Sequence, residues 1–291
     1  MSTDAPHGAV TQNLVDYDRL TADLPAKREA YLAAQPFAHA VYDDVLHPEV
    51  FERAAAEFPG MEDEFWKGYL HVNETKYSNT EPDTWSPTLE AVAREFCSER
   101  FVKYLEDLTG IENLMPDWSM DGGGLHQTKR GGHLNIHADF STHHDHPTWA
   151  RRVNILLYLN TEWDDAWGGK LELWDEKMTG KQGSVTPAGN RMLVFTTTDT
   201  SFHGHPDALA CPPDVARRSM ALYYFTEENA PVRRATNYRA RPEDGARKYV
   251  IAADRLAVDL YDRAKRRLNI DDAKVNRVLA KLHKLRKPKG H

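Results

Sequence analysis

Apolar positions change their spacing twice along this chain. Leu14, Tyr17, Leu20, Leu24 and Tyr31 recur at roughly helical spacing up to Pro36 and predict one helix. Phe37 to Leu46 alternates apolar and polar residues for part of its length, as a strand does. His47-Pro48-Glu49 then opens a second helix that runs through Phe58 to the Pro59-Gly60 stop. Helical spacing returns at Pro87, Leu89, Val92, Phe96, Phe101, Leu105 and Leu108, in one or two helices ended by Gly110. A helix with one apolar stripe needs a partner surface, so these elements are read as buttresses for a sheet.

From about residue 114 the chain turns to Gly, His, Trp, Thr and β-branched residues in short runs between turn signals. The expected strands are Gly124–Gln127, His133–Ala138, Arg152–Leu159, Lys170–Trp174, Gly183–Thr186, Arg191–Thr196 and Arg218–Thr226. So many short strands imply a sandwich or barrel. Beyond Asn229 the sequence is polar, and 248–286 regains helical spacing. The chain accordingly divides into a disordered stretch 1–12, a helical and strand support region 13–112, a β core 113–229, and a C-terminal helical appendage 230–291 with a basic tail.

Composition narrows the function classes. The 291 residues carry a formal net charge of −7, which gives no global case for nucleic-acid binding, so any anion site must be local. The basic run Arg277 to Lys289 reads as a solvated helix end. Cys97 and Cys211 are too few for a disulfide framework or a CxxC motif. The N-terminus has neither a basic nor an apolar signal region, and no stretch reaches the length of a membrane span. The protein is therefore expected to be cytoplasmic, with no membrane partner. No heptad pattern indicates an oligomeric state.

The chemistry is concentrated in the β region. His137 and Asp139 lie two apart on an expected strand, so an imidazole and a carboxylate face the same side and can bind one cation. His203, 64 residues after Asp139 and several strands later, supplies a third donor at about one circuit of a barrel. Two histidines and one carboxylate on one face leave open positions on an octahedral iron. Zinc is the rival metal, but a closed structural zinc site would need a fourth ligand, and Cys211 has no nearby partner. His205 would share the face of His203 if the strand continued; Gly204 and Pro206 are expected to end it and turn His205 away. His143, His144 and His146 are read as solvated loop residues.

The chain resembles the 2-oxoglutarate and iron(II)-dependent oxygenases, in their prolyl-hydroxylase-like branch. The matching stretches, over roughly residues 112–228, are Gly123–Gln127, Gly132–Phe140, Asn154–Asn160, Trp167–Trp174, Asn190-Arg191, and His203-Gly204 through Arg217. The resemblance implies a double-stranded β-helix, a jelly-roll and cupin-like core that is mainly β with flanking helices. It assigns His137, Asp139 and His203 as iron ligands and Arg217 as the anchor for the distal carboxylate of 2-oxoglutarate, a task suited to a guanidinium. On a strand Ser219 shares the face of Arg217, whereas Arg218 points the other way. Tyr158 and Gln127 match further positions that face the co-substrate. Beside the expected iron, Asn135, Phe140, Arg152, Asn154 and Trp167 are candidate substrate contacts.

The implied cofactors are Fe(II), 2-oxoglutarate and dioxygen, with ascorbate as an auxiliary reductant. The implied reaction converts 2-oxoglutarate to succinate and hydroxylates a substrate C–H bond. Related halogenases have Gly or Ala where Asp139 stands, which argues against halogenation; desaturation, epimerisation and cyclisation remain open. The substrate is read as a small molecule, an amino acid or natural-product intermediate. The alternatives are a prolyl or other residue of a protein or peptide and, in another class, a zinc-binding cupin-like hydrolase or a non-catalytic ligand-binding sandwich.

Overall fold

The structure is a computed structural model that describes residues 14–61, 64–230, 235–246, 248–251 and 253. The expected disordered stretch 1–12, most of the C-terminal helical appendage and its basic tail lie outside the described residues. The helices are α1 (Tyr17–Thr21), α2 (Leu24–Ala33), α3 (Pro48–Ala56), α4 (Pro87–Phe96) and α5 (Glu99–Thr109). The strands are β1 (His39–Tyr42), β2 (Lys67–Leu70), β3 (Glu74–Asn79), β4 (Met115–Pro116), β5 (Gly124–Lys129), β6 (His133–Ala138), β7 (Trp149–Tyr158), β8 (Leu171–Trp174), β9 (Lys181–Val185), β10 (Arg191–Thr196), β11 (His203–His205), β12 (Ala216–Glu227) and β13 (Asn237–Tyr238).

All the strands join one sheet in the order β1-β10-β7-β12-β5-β3-β6-β11-β8-β9, with β13 on β6, β2 on β3 and β4 on β12. The pairing is antiparallel and the sheet nearly closes into a barrel, the double-stranded β-helix expected above. Strand alternation separates two faces. Val153, Ile155 and Leu157 of β7 and Met220, Leu222 and Tyr224 of β12 point outward. There they pack with Leu89, Val92 and Phe96 of α4 and Phe101, Leu105 and Leu108 of α5, and each buried side chain contributes roughly 1.5–3 kcal/mol. Ser86 and Ser98 cap α4 and α5 by accepting from Leu89 N and Phe101 N, which fixes where the two helices start. The intervening residues Asn154, Tyr158, Arg217, Ser219 and Tyr223 occupy the opposite, inner face.

The single helix expected between Leu14 and Pro36 is two. The chain breaks at Ala22–Asp23, where Asp23 takes a left-handed conformation (φ 50°) and Pro25 opens α2. The β2–β3 hairpin had no counterpart among the expected strands, although β3 runs within the barrel between β5 and β6. Among the described residues no helix is long and apolar enough to cross a membrane.

Candidate metal and co-substrate site

His137 near the end of β6, Asp139 just beyond it and His203 at the start of β11 meet on the inner face, where His203 is the direct cross-strand partner of His137. Each offers one donor atom, all within 4.8 Å of one another, and among the described residues this is the one such cluster. Asp139 Oδ1 lies 3.4 Å from His137 Nε2 and Oδ2 lies 3.5 Å from His203 Nε2. Bonds of about 2.1 Å to one metal would set neighbouring donors about 3 Å apart, close to the two carboxylate–imidazole separations. The donor set fits the group.

Both rings are aimed by their other nitrogen. His137 Nδ1 lies 2.9 Å from Asn135 O and His203 Nδ1 2.8 Å from Ser201 O. Donation to a carbonyl fixes that proton on Nδ1 and leaves the Nε2 lone pair for the metal. Burial lowers the His203 pKa to about 4 against the opposing pull of Asp139, which keeps the ring neutral as a ligand must be. Burial would raise the Asp139 pKa; Arg151 and the two imidazoles outweigh it and hold the carboxyl well below its ordinary range.

Arg151 was absent from the expected site. Its Nη2 donates to Asp139 Oδ2 (3.1 Å), its Nε donates to Asn154 Oδ1 (2.6 Å), and its guanidinium lies 3.2 Å from the Tyr223 ring centroid. Its Nη1 is buried without a hydrogen-bond partner. Arg152, the expected substrate contact, instead points to the rim, bonded to Thr226 Oγ1 and Glu228. The cause is a β-bulge: Tyr224 faces Val153 but Phe225 faces Arg151, so Arg152 is the extra residue and the alternation shifts by one. Asn154, also expected at the substrate, spends its amide on the ligand shell, with Nδ2 donating to Asp139 Oδ2 at 2.7 Å.

A second bulge lies in β6, where three steps from His137 to Leu134 match two on β11 from His203 to His205. Asn135 is turned aside by it and donates to Val72 O and Asn73 Oδ1, tying the hairpin turn to the barrel and leaving the substrate space. Gly204 sits where a Cβ would meet Leu134 O at 2.7 Å and Asn135 O at 2.8 Å, so only glycine allows this approach. The expected strand end at Gly204 does not occur: β11 continues through His205, which is 3% exposed and keeps the face of His203.

Arg217 on β12 is 6% exposed. Its Nε donates to Gly169 O (2.9 Å) and its Nη2 to the Tyr158 hydroxyl (3.2 Å), and among the described residues no carboxylate pairs with it. A buried guanidinium of this kind calls for an anion. Ser219, two residues on, faces Tyr158 across the strands. Gln127 does not join them. It lies opposite Arg218, on the outward face, with both amide atoms buried and unpartnered, whereas Thr128 lies opposite Arg217 and His126 opposite Ser219. The register of β5 was one residue from the expectation.

Phe140 is half-buried, with the Arg151 guanidinium 4.6 Å from its ring centroid. Trp167 lies further off, in a short turn edge-on to Trp163 (5.4 Å) next to the Gly169 carbonyl that holds Arg217. The hairpin adds Glu74, 7% exposed and bonded to His71 and Lys76, and the charge of Lys76 acts on Tyr223 and His126. His144 and His146 are exposed as expected, but His143 is 2% exposed, with Nδ1 accepting from the backbone of Asp145 and His146.

Comparison with known proteins agrees with this arrangement. Residues 123–225 match the sequence model of the 2OG-Fe(II) oxygenase superfamily. The chain is 26% identical over 207 residues to the prolyl 3-hydroxylase OGFOD1 of Mus musculus, covering 69% of this chain and 35% of that one. It thus spans about a third of the length of the curated relative it matches. Among solved structures a Pseudomonas putida prolyl-4-hydroxylase superposes with a TM-score of 0.50 at 16% identity, over 70% of this chain and 99% of that one. A Trichoplax adhaerens prolyl hydroxylase, in complex with a hypoxia-inducible-factor peptide fragment, gives 0.49 at 16% identity over 69% and 90%. The metal triad and the arginine behind it all lie within residues 123–225, the region that matches the 2OG-Fe(II) oxygenase superfamily, and the match supports reading the chain as such an oxygenase.

Proposed function

We propose that the protein couples oxidative decarboxylation of 2-oxoglutarate to hydroxylation of a small amino-acid substrate. In this reading His137, Asp139 and His203 hold Fe(II), and Arg217, Tyr158 and Ser219 cradle the distal carboxylate of 2-oxoglutarate. The bound iron and 2-oxoglutarate supply the activation of dioxygen. The chain's own residues do the rest. Arg151 and Asn154 engage Asp139 Oδ2 and leave Oδ1 for the metal. The tyrosine and phenylalanine around Arg151 keep water from the reacting centre.

The observation that carries the substrate class is Arg151 Nη1, buried beside the metal ligands with no partner. A buried donor left unmet is costly, so the substrate is expected to bring an acceptor to it. Charge favours a carboxylate. Arg217, Arg151 and Lys76 oppose Asp139 and Glu74, iron and 2-oxoglutarate cancel, and one positive charge is left over. A free amino acid brings a carboxylate to Arg151 Nη1, with Phe140 lining its side chain, while its own ammonium leaves the net count as it was. A prolyl residue within a peptide or protein is the second reading, favoured by the prolyl-hydroxylase name of the sequence relative; its amide carbonyl would accept from the same nitrogen.

Succinate release from 2-oxoglutarate, measured with free amino acids, their carboxamides and proline-containing peptides, separates the two. Turnover of an amino acid that is lost on amidation supports the first. Stimulation by peptides alone would replace it with the second. Failure of the anaerobic Fe(II) protein to develop a visible charge-transfer band with 2-oxoglutarate would sink both.

A further inference from the structure

We propose that His205 is an additional co-substrate-binding residue, donating a ring N–H to the distal carboxylate of 2-oxoglutarate beside Arg217. The inference rests on the reading that 2-oxoglutarate is the co-substrate, and it adds a residue to that site.

Three observations carry it. First, β11 is regular from His203 to His205 because the extra residue of the bulge lies on β6, so the two rings project from the same face. A step of two residues along a strand is about 6.7 Å, which carries His205 away from the metal by about the span of a five-carbon diacid. Second, His205 is 3% exposed, yet its Nδ1 has no hydrogen-bond partner, unlike the metal-side histidines, whose Nδ1 atoms meet backbone carbonyls. A buried imidazole left in this state is waiting for a group the chain does not supply. Third, β11 runs antiparallel to β8 with His203 opposite Leu173 and Gly204 opposite Glu172, so His205 lies towards the Gly169 end of β8, where the Gly169 carbonyl accepts from Arg217 Nε.

The test is equilibrium binding to the full chain loaded with Mn(II), read by calorimetry, of 2-oxoglutarate and of 2-oxopentanoate, which lacks the distal carboxylate. His205→Val is expected to weaken 2-oxoglutarate by at least about tenfold, the loss of one charge-assisted hydrogen bond. It should leave 2-oxopentanoate within about twofold, since the metal-chelating end is untouched. His205→Gln, which keeps a donor, should recover most of the loss. A valine variant that binds 2-oxoglutarate as wild type does, while Arg217→Met is weakened, overturns the inference and leaves the co-substrate reading standing. A wild-type chain that does not bind 2-oxoglutarate overturns both. If the valine variant does not fold, ring-15N spectra of the histidine-labelled Zn(II) protein decide: His205 resonances that do not move when 2-oxoglutarate is added overturn the proposal.

Discussion

Replacing Arg151 with methionine should expose the coupling between the metal ligand and its guanidinium neighbour. The side chains of Arg151 and Asp139 are 1% and 11% exposed, and the guanidinium also bonds Asn154 and covers Tyr223. Removing one partner of such a pair leaves a buried charge uncompensated and costs about 3–5 kcal/mol. At roughly 2–4 °C per kcal/mol for a chain this size, metal-free Arg151→Met should melt about 6–20 °C below wild type. Arg152→Met is the control. Its pair with Glu228 is 41% and 32% exposed and is worth at most about 1 kcal/mol. A divalent cation on Asp139 would restore a positive partner, so the Arg151→Met deficit should shrink when the protein is loaded with Mn(II). Melts of chelator-stripped and Mn(II)-loaded protein read both effects. Equal losses for the two variants, or an Arg151→Met deficit indifferent to metal, would refute the reasoning.

Arg217→Met should weaken 2-oxoglutarate binding by about a hundredfold or more, while Arg218→Met, on the outward face, changes it less than about threefold; the reverse order would overturn the face assignment. In metal-free protein His203 is pulled from 6.5 to about 4, so below pH 6.5 the unfolded chain takes up a proton that the folded chain refuses. That stability is fully present above pH 6.5 and is lost as pH falls towards 4, by about 3 kcal/mol. His203→Gln should flatten the curve over that window, and parallel denaturation curves for the two proteins would contradict it. Gly204→Ala drives a Cβ into Leu134 O and Asn135 O and should destabilise by about 1–3 kcal/mol; unchanged stability would show that the β6 bulge is not held as described.

Much of this was legible in the sequence where one face of a strand is uniformly apolar. The bounds of His133–Ala138 and Arg191–Thr196 run as expected because each is a short run between clear turns. Two-residue spacing was enough to read His137 with Asp139, and Arg217 with Ser219, as sharing a face. What escaped is what alternation cannot encode. The bulge that exchanges Arg151 for Arg152 is a property of two strands in register, and neither arginine announces which will be the extra residue. Gln127 was misplaced for a related reason: β5 carries polar residues on both faces, so nothing in it marks the inner one. The hairpin stretch Lys67–Asn79 is nearly all polar and aromatic and reads as loop, yet β3 finds its place by pairing with strands far along the chain.

The long strand β12 places a constraint on how the protein can change. Arg217, Ser219 and Tyr223 face the site, while Arg218, Met220, Leu222 and Tyr224 alternate with them and face the helices, where the Tyr224 hydroxyl donates to Phe96 O. Substitution can therefore retune either face without disturbing the other. Insertion or deletion of a single residue cannot, because it would send the anchor into the apolar layer and the apolar layer into the site at one stroke. Variation in chain length belongs to the loops between strands, and new specificities in this scaffold have to be reached one side chain at a time.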